Sequence, residues 1–128
     1  MNKKLDYNYC KAGPVMEWMS RKWAVAVLLR IEESQNNDRE ASRGIRFSDL
    51  FRTIPHLSEK MLASTLNYLE YEGLIVRTEH DSKSPCVEYS LTTIGESFLR
   101  EISYVIEWGQ LHFDEIQKNR EKKSSALL

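Results

Sequence analysis

A mainly α-helical fold with a small β-hairpin, an α+β arrangement, is predicted by three features of the sequence. A short and a longer helical pattern stand on either side of Ile54-Pro55-His56-Leu57. Two runs rich in branched and aromatic residues follow directly after Gly73, which is strand composition. Amphipathic helical patterns flank this block on both sides. With 128 residues the chain is long enough for one real core and hardly for two, so one domain over 1–128 is expected.

The first helix is expected from about Pro14 to Glu33. Proline suits a first helical turn, where its missing N–H costs nothing. Val15, Met19, Trp23, Val27 and Ile31 recur at four-residue steps, with Met16, Ala24 and Leu28 beside them. Ser34 to Arg43 is polar, lacks periodicity and reads as a loop. A short helix follows near Phe47 to Thr53. Pro55 ends it, because the residue before a proline is pushed out of helical geometry. Ser58 is placed as an N-cap, and the next helix runs to Glu72 before Gly73 stops it. A short helix, a tight turn and a longer helix make a helix-turn-helix over about 46–73.

The two strand runs, Leu74 to His80 and Cys86 to Thr92, sit around the turn-forming segment Asp81 to Pro85. In the second run Val87, Tyr89 and Leu91 face one side, while Glu88 and Ser90 face the other. A hairpin over about 74–92, directly after a helix-turn-helix, completes a winged helix-turn-helix. Thr92 or Thr93 caps a last helix over about 93–118, and Thr93 with Glu96 fits a capping box. Its stripe (Phe98, Ile102, Val105, Ile106, Phe113 and Ile116, widened by Leu99 and Trp108) exceeds what a small winged helix needs for its own core. A partner copy is the simplest client for that surface, so helices 14–33 and 93–118 are expected to form a dimer interface.

Formal net charge is -1, so composition alone does not announce a nucleic-acid partner. Charge is nevertheless local: residues 1–30 carry a net +4 and residues 31–42 a net -3. The longest uncharged apolar run, Trp23 to Leu29, is too short to span a membrane, and no apolar stretch follows the lysines near Met1. A cytoplasmic location is therefore expected.

The helix after Ser58 carries the functional reading. Leu62, Leu66 and Leu69 point one way, and Lys60, Ser64, Asn67 and Tyr71 almost opposite, with Ala63 and Tyr68 flanking. An idle solvated face normally carries more charge. Small, neutral hydrogen-bonding side chains suit a helix that enters a major groove about 12 Å wide, where Asn can pair bidentately with adenine. Arg21, Lys22 and Arg46 are candidate phosphate contacts, as are Arg77, His80 and Lys83 in the wing. Glu79 and Asp81 sit among the wing cations and oppose that role.

Cys10 lies close to Lys11 and to the start of the first helix, both of which favour the reactive thiolate. Cys86, at the start of a wing strand, reads as a small packing residue. Phosphate-binding glycine loops, H-E-x-x-H and G-x-S-x-G are absent, and His56, His80 and His112 lie far apart. No catalytic residue, metal site or cofactor is expected.

Several segments resemble the HxlR family of bacterial winged-helix regulators, which is similar in fold to the MarR group. Cys10 and Arg21-Lys22-Trp23 are similar to that family's N-terminal cysteine followed by G-K-W. Arg46-Phe47-Ser48-Asp49-Leu50 resembles R-F-x-E-L, and Ile54 to Leu62 resembles I-x-x-I-S-x-K-M-L. Leu66, Leu69, Gly73 and Leu74 continue the pattern. Pro85, Val87 to Thr92 and Gly95 resemble P-x-V-E-Y-S-L-T-x-x-G, and Trp108 matches a tryptophan of the last helix. The resemblance covers about residues 10–108. It departs at Ser20-Arg21, where glycines are usual, at Lys11, where proline is usual, and over Ile31 to Gly44, about ten residues longer than the family's connection.

The resemblance implies a homodimeric regulator of transcription on a palindromic operator, with half-sites about 34 Å apart. Ser58, Lys60, Ala63, Ser64, Asn67 and Tyr68 are the candidate DNA contacts of the second helix. Some family members respond to oxidants or electrophiles through the N-terminal cysteine, the position that Cys10 matches; a small-molecule or oxidant inducer would then be a further partner. The competing readings are a winged helix kept as a protein-interaction module without DNA, and an enzyme with Cys10 as nucleophile.

Overall fold

The computed structural model describes residues 11–37, 44–80 and 86–127. Cys10, Lys83 and the segment 38–43 lie outside the described residues. Six helices and three strands follow in the order α1 (Gly13–Ser20), α2 (Lys22–Asn37), β1 (Ile45–Arg46), α3 (Phe47–Thr53), α4 (Glu59–Tyr71), β2 (Ile75–His80), β3 (Cys86–Leu91), α5 (Thr93–Leu111) and α6 (Phe113–Leu127). The mainly helical fold with a β wing is as predicted. Two compact units are present, Met1–Glu96 and Ser97–Leu128.

The first helical pattern folds as two helices. Arg21 is extended (φ -92°, ψ 98°), and its N–H bonds the Trp18 carbonyl one residue short of helical register. The Ser20 hydroxyl donates to the Glu17 carbonyl at 2.7 Å, occupying the acceptor that an uninterrupted helix would offer to the Arg21 amide. α1 consequently buries nothing, whereas α2 buries Ala24, Val27, Leu28 and Ile31. The expected loop also begins later, since Ser34 to Asn37 remain helical. That last turn is tied to the sheet, because Gln35 Oε1 accepts from the Leu91 amide at 3.3 Å.

Ser58 caps α4 as expected, its hydroxyl accepting from the Met61 amide at 3.1 Å. At the other end Gly73 takes a left-handed φ of 77°. The Leu74 amide bonds the Leu69 carbonyl and the Gly73 amide the Glu70 carbonyl, both at 3.0 Å, the reciprocal pattern of a Schellman stop. His56 supplies the turn between α3 and α4 with a second left-handed residue, φ 65°. Leu62, Leu66 and Leu69 are buried as predicted. Thr65 joins them by sending its hydroxyl to the Met61 carbonyl. Together with Val27, Leu28, Ile31, Leu50 and Leu74 they form the core of the first unit. Each such side chain contributes about 1.5–3 kcal/mol by leaving water.

The sheet has three strands rather than two, in the antiparallel order β1-β3-β2. Ile45 pairs with Tyr89 and Arg46 with Glu88, so β3 is central. Gly44 crosses the Tyr89 carbonyl so closely that a Cβ would overlap it. The expected alternation in β3 holds only in part: Tyr89 and Leu91 are buried while Val87 is half-buried. Glu88 on the other face is buried as well, and its Oε2 lies 3.1 Å from His80 Nε2.

Thr92, not Thr93, caps α5. Its hydroxyl accepts from the Gly95 amide at 3.1 Å and donates to the Gly73 carbonyl at 2.7 Å. Along α5, Phe98, Leu99 and Ile102 are buried. Beyond them Tyr104, Val105, Trp108 and Leu111 are exposed, and so is Phe113 in α6. The expected single helix is interrupted only at His112, whose amide still bonds Trp108 O and whose carbonyl accepts from Ile116 N. The rings of Trp108 and His112 stack with centroids 4.5 Å apart.

Candidate nucleic-acid interface

α4 presents a face set by its burial pattern. With Leu62, Thr65, Leu66 and Leu69 turned inward, Lys60, Ala63, Ser64 and Asn67 are exposed. Along this face run two hydroxyl or amide groups, one methyl and one ammonium, and among the described residues the Lys60 ammonium has no carboxylate partner. Ser58 lies just before them. Its hydroxyl oxygen is engaged as a cap while its proton remains available to an acceptor. The Ser58 and Glu59 end of α4 is also where the helix dipole is positive, which suits an approaching phosphate.

The structure brings Arg21 and Lys22 to this face. The α1–α2 junction carries both residues alongside α4, enclosing a cavity of about 220 Å³ between Arg21, Lys22 and Trp23 on one side and Met61, Ser64 and Tyr68 on the other. The Arg21 guanidinium carbon lies 3.9 Å from the centre of the Tyr68 ring, and Lys22 Nζ lies 5.1 Å from a Trp23 ring centre. Tyr68 is half-buried and donates its hydroxyl to Glu17 Oε1 at 2.9 Å. The same carboxylate oxygen accepts from Arg21 Nη2 at 3.3 Å. Burial, the Glu17 hydrogen bond and the Glu17 charge push the Tyr68 hydroxyl up to about 12, against the pull of Arg21. Tyr68 is thus anchored rather than free on the face.

Arg46 is exposed at the step from β1 into α3, on an extended residue (φ -78°, ψ 154°) that makes no side-chain cap. The wing cations differ. Arg77 is held by Glu79 at 2.6 Å, and its proton affinity is raised by that bond first and by a hydrogen bond to Tyr89 second. His80 is engaged by Glu88. Cys86 is half-buried with a free thiol.

Three participants escaped the sequence reading. Met61 is 46% exposed on the groove-facing side of α4, three positions before Ser64, a helical spacing that was legible. Glu17 stands four residues before Arg21, also a legible pairing. Its bond to Tyr68, 51 residues away, has no local signature. Trp23, by contrast, is the immediate sequence neighbour of the Lys22 that lies over its ring.

The HxlR-like helix-turn-helix family model matches residues 18–117. The chain is 32% identical over 116 residues to the uncharacterized HTH-type transcriptional regulator YtfH of Escherichia coli (strain K12), covering 91% of this chain and 85% of that protein. The solved structure of ytfH from Salmonella typhimurium aligns with a TM-score of 0.68 at 31% identity, over 89% of this chain and 94% of that one. The redox regulator HypR in its reduced form aligns with a TM-score of 0.66 at 25% identity, over 82% of this chain and 98% of its own. The capped helix α4 after a tight turn, the β2–β3 hairpin and a family match over most of the length lead to one assignment: the chain belongs to the HxlR-like helix-turn-helix family.

Proposed function

We propose that this protein regulates transcription by binding double-stranded DNA as a homodimer at a palindromic operator. The observation that carries the reading is the exposed face of α4, where Lys60, Ala63, Ser64 and Asn67 stand clear of ion pairs above a fully buried leucine edge. Such a face reads base edges through hydrogen bonds and methyl contacts rather than through charge. Ser58 and the N-terminus of α4, Arg21, Lys22 and Arg46 meet phosphates and fix the register. Arg77 and His80 reach DNA only by exchanging a carboxylate partner for a phosphate, and Lys83 is proposed as a further contact. Homodimerisation is supported by the exposed apolar side chains of the second unit, Tyr104, Val105, Trp108, Leu111 and Phe113.

Cys10 is the proposed thiol switch. Support comes from the family's N-terminal cysteine position and from the redox regulator HypR among the similar structures. Oxidation or alkylation at Cys10 then shifts the relative placement of two reading heads.

Fluorescence anisotropy of reduced protein on a duplex selected from a random library, against a scrambled duplex, tests the whole reading. Tight, salt-sensitive preference for the selected duplex is expected, weakened by roughly 1–3 kcal/mol per contact in Asn67→Ala. An oxidant should change the affinity of the native chain and not of Cys10→Ser. Absence of any sequence preference at low salt, with the dimer intact, would instead leave a protein-interaction module.

A further inference from the structure

Glu17 is an acidic residue placed where a DNA-binding surface ordinarily avoids one. Its Oε1 serves two partners at once: Arg21 Nη2 at 3.3 Å and the Tyr68 hydroxyl at 2.9 Å. The Arg21 guanidinium simultaneously stacks on the Tyr68 ring. The three side chains close a triangle linking α1, the α1–α2 junction and the reading helix. Glu17 and Arg21 are each about half exposed, at 51% and 52%, so neither is locked in by the core.

We infer that Glu17 is a positioning residue that limits DNA affinity: it holds Arg21 in an ion pair that a DNA phosphate has to displace. This rests on the DNA-binding reading above and deepens it. Non-specific association is almost wholly electrostatic and leaves the protein mobile on the duplex. A phosphate that is not held in place competes poorly with a carboxylate already 3.3 Å away. In the seated complex, base contacts from Lys60, Ser64 and Asn67 fix the register. A phosphate then stands at the edge of the cavity between Arg21 and α4, and Arg21 exchanges Glu17 for it without leaving the Tyr68 ring. The cost of breaking the Arg21–Glu17 pair thus falls on the seated complex and lowers its affinity. Glu17 never touches DNA in this scheme. It positions Arg21, and through Tyr68 it braces α1 against the reading helix.

The test is Glu17→Gln, which keeps a hydrogen-bond acceptor for Tyr68 and removes the charge. Affinities for a selected operator and a scrambled duplex are measured across a salt series. The variant is expected to bind the operator several-fold more tightly and scrambled DNA by no larger a factor, so that the ratio of the two does not fall. The slope of log affinity against log salt on scrambled DNA should steepen by about 0.9, the value for one further phosphate contact. Adding Arg21→Ala to Glu17→Gln should cancel the gain, because Arg21 is the cation released. Unchanged affinities and slope in Glu17→Gln, with a native chain that discriminates, would overturn the role of Glu17 and leave the regulator reading standing. A native chain that discriminates no sequence would overturn both. An equal gain in the double variant would refute the assignment to Arg21.

Discussion

Ser58 performs a structural and a proposed functional task with one hydroxyl, and two substitutions separate them. In Ser58→Ala the Met61 amide loses its 3.1 Å acceptor. A cap of this kind is worth about 1 kcal/mol, so the melting temperature should fall by about 3–5 °C in a chain of this length. Ser58→Asp keeps an acceptor at the cap and adds a negative charge to the helix N-terminus, which contributes about 0.3–1 kcal/mol in favour of folding. Its stability should equal or exceed that of the native protein. The same carboxylate stands where phosphates are proposed to dock. Two like charges about 5 Å apart in solvent repel by roughly 0.8 kcal/mol, and the charge it adds also offsets cations that would otherwise displace counterions. Summed over several phosphates and two half-sites, operator affinity should fall on the order of 30–100-fold. Urea melts and anisotropy titrations on the two variants give four numbers with opposite signs. A stable Ser58→Asp protein that binds the operator as tightly as the native one would refute the docking of the α4 N-terminus against the backbone. An unstable one would refute the capping argument.

Other expectations follow from the same geometry. Gly44→Ala and Gly95→Ala each drive a Cβ into a backbone carbonyl, of Tyr89 and Leu74 respectively, and should cost about 3 kcal/mol or more. Gly73→Ala meets no atom within 4 Å and bears only the left-handed backbone penalty, about 1 kcal/mol net, so a melt series in the reverse order would contradict this. Tyr68 keeps its proton to about 12 rather than 10, so its stabilising contribution is whole below the ordinary tyrosine range and is lost as pH rises through 12. The difference between tyrosinate absorbance titrations of the native protein and Tyr68→Phe should isolate that late group; a difference centred near 10 would remove the Glu17 bond from solution. Trp108→Glu, on a side chain 58% exposed, should convert the proposed dimer to monomer in sedimentation without unfolding it, and an unchanged dimer would move the interface elsewhere.

The elements most legible in the sequence were those with a chemical start and stop signal. Ser58 and Gly73 bracket α4 because one supplies a side-chain acceptor and the other a left-handed residue, and both are local properties. The break at Arg21 was not legible, since the four-residue hydrophobic step runs straight through it. A hydroxyl bond from Ser20 to the Glu17 carbonyl decides against continuity there. β1 is too short for any periodicity and exists because Gly44 lets the chain lie against β3. The candidate contacts on α4 came from face geometry and were placed on one exposed strip. The pairing of His80 and Tyr68 with carboxylates depends on the approach of other elements, whereas Arg77 pairs with Glu79 two residues along the same strand, a charge already visible in the sequence.

Leu74 has a consequence for how such a protein changes its preferences over time. Its amide is spent on Leu69 at the end of α4, its carbonyl accepts from the Thr92 amide at 3.1 Å, and Gly95 leaves no space above it. The end of the reading helix, the root of the wing and the first turn of α5 therefore meet at one fully buried residue and share a single orientation. A helix pinned in this way keeps one angle to the wing. On the proposed function, a change in the DNA words read then falls to the letters on a fixed type-bar, at Lys60, Ala63, Ser64 and Asn67, while the carriage that carries them stays the same.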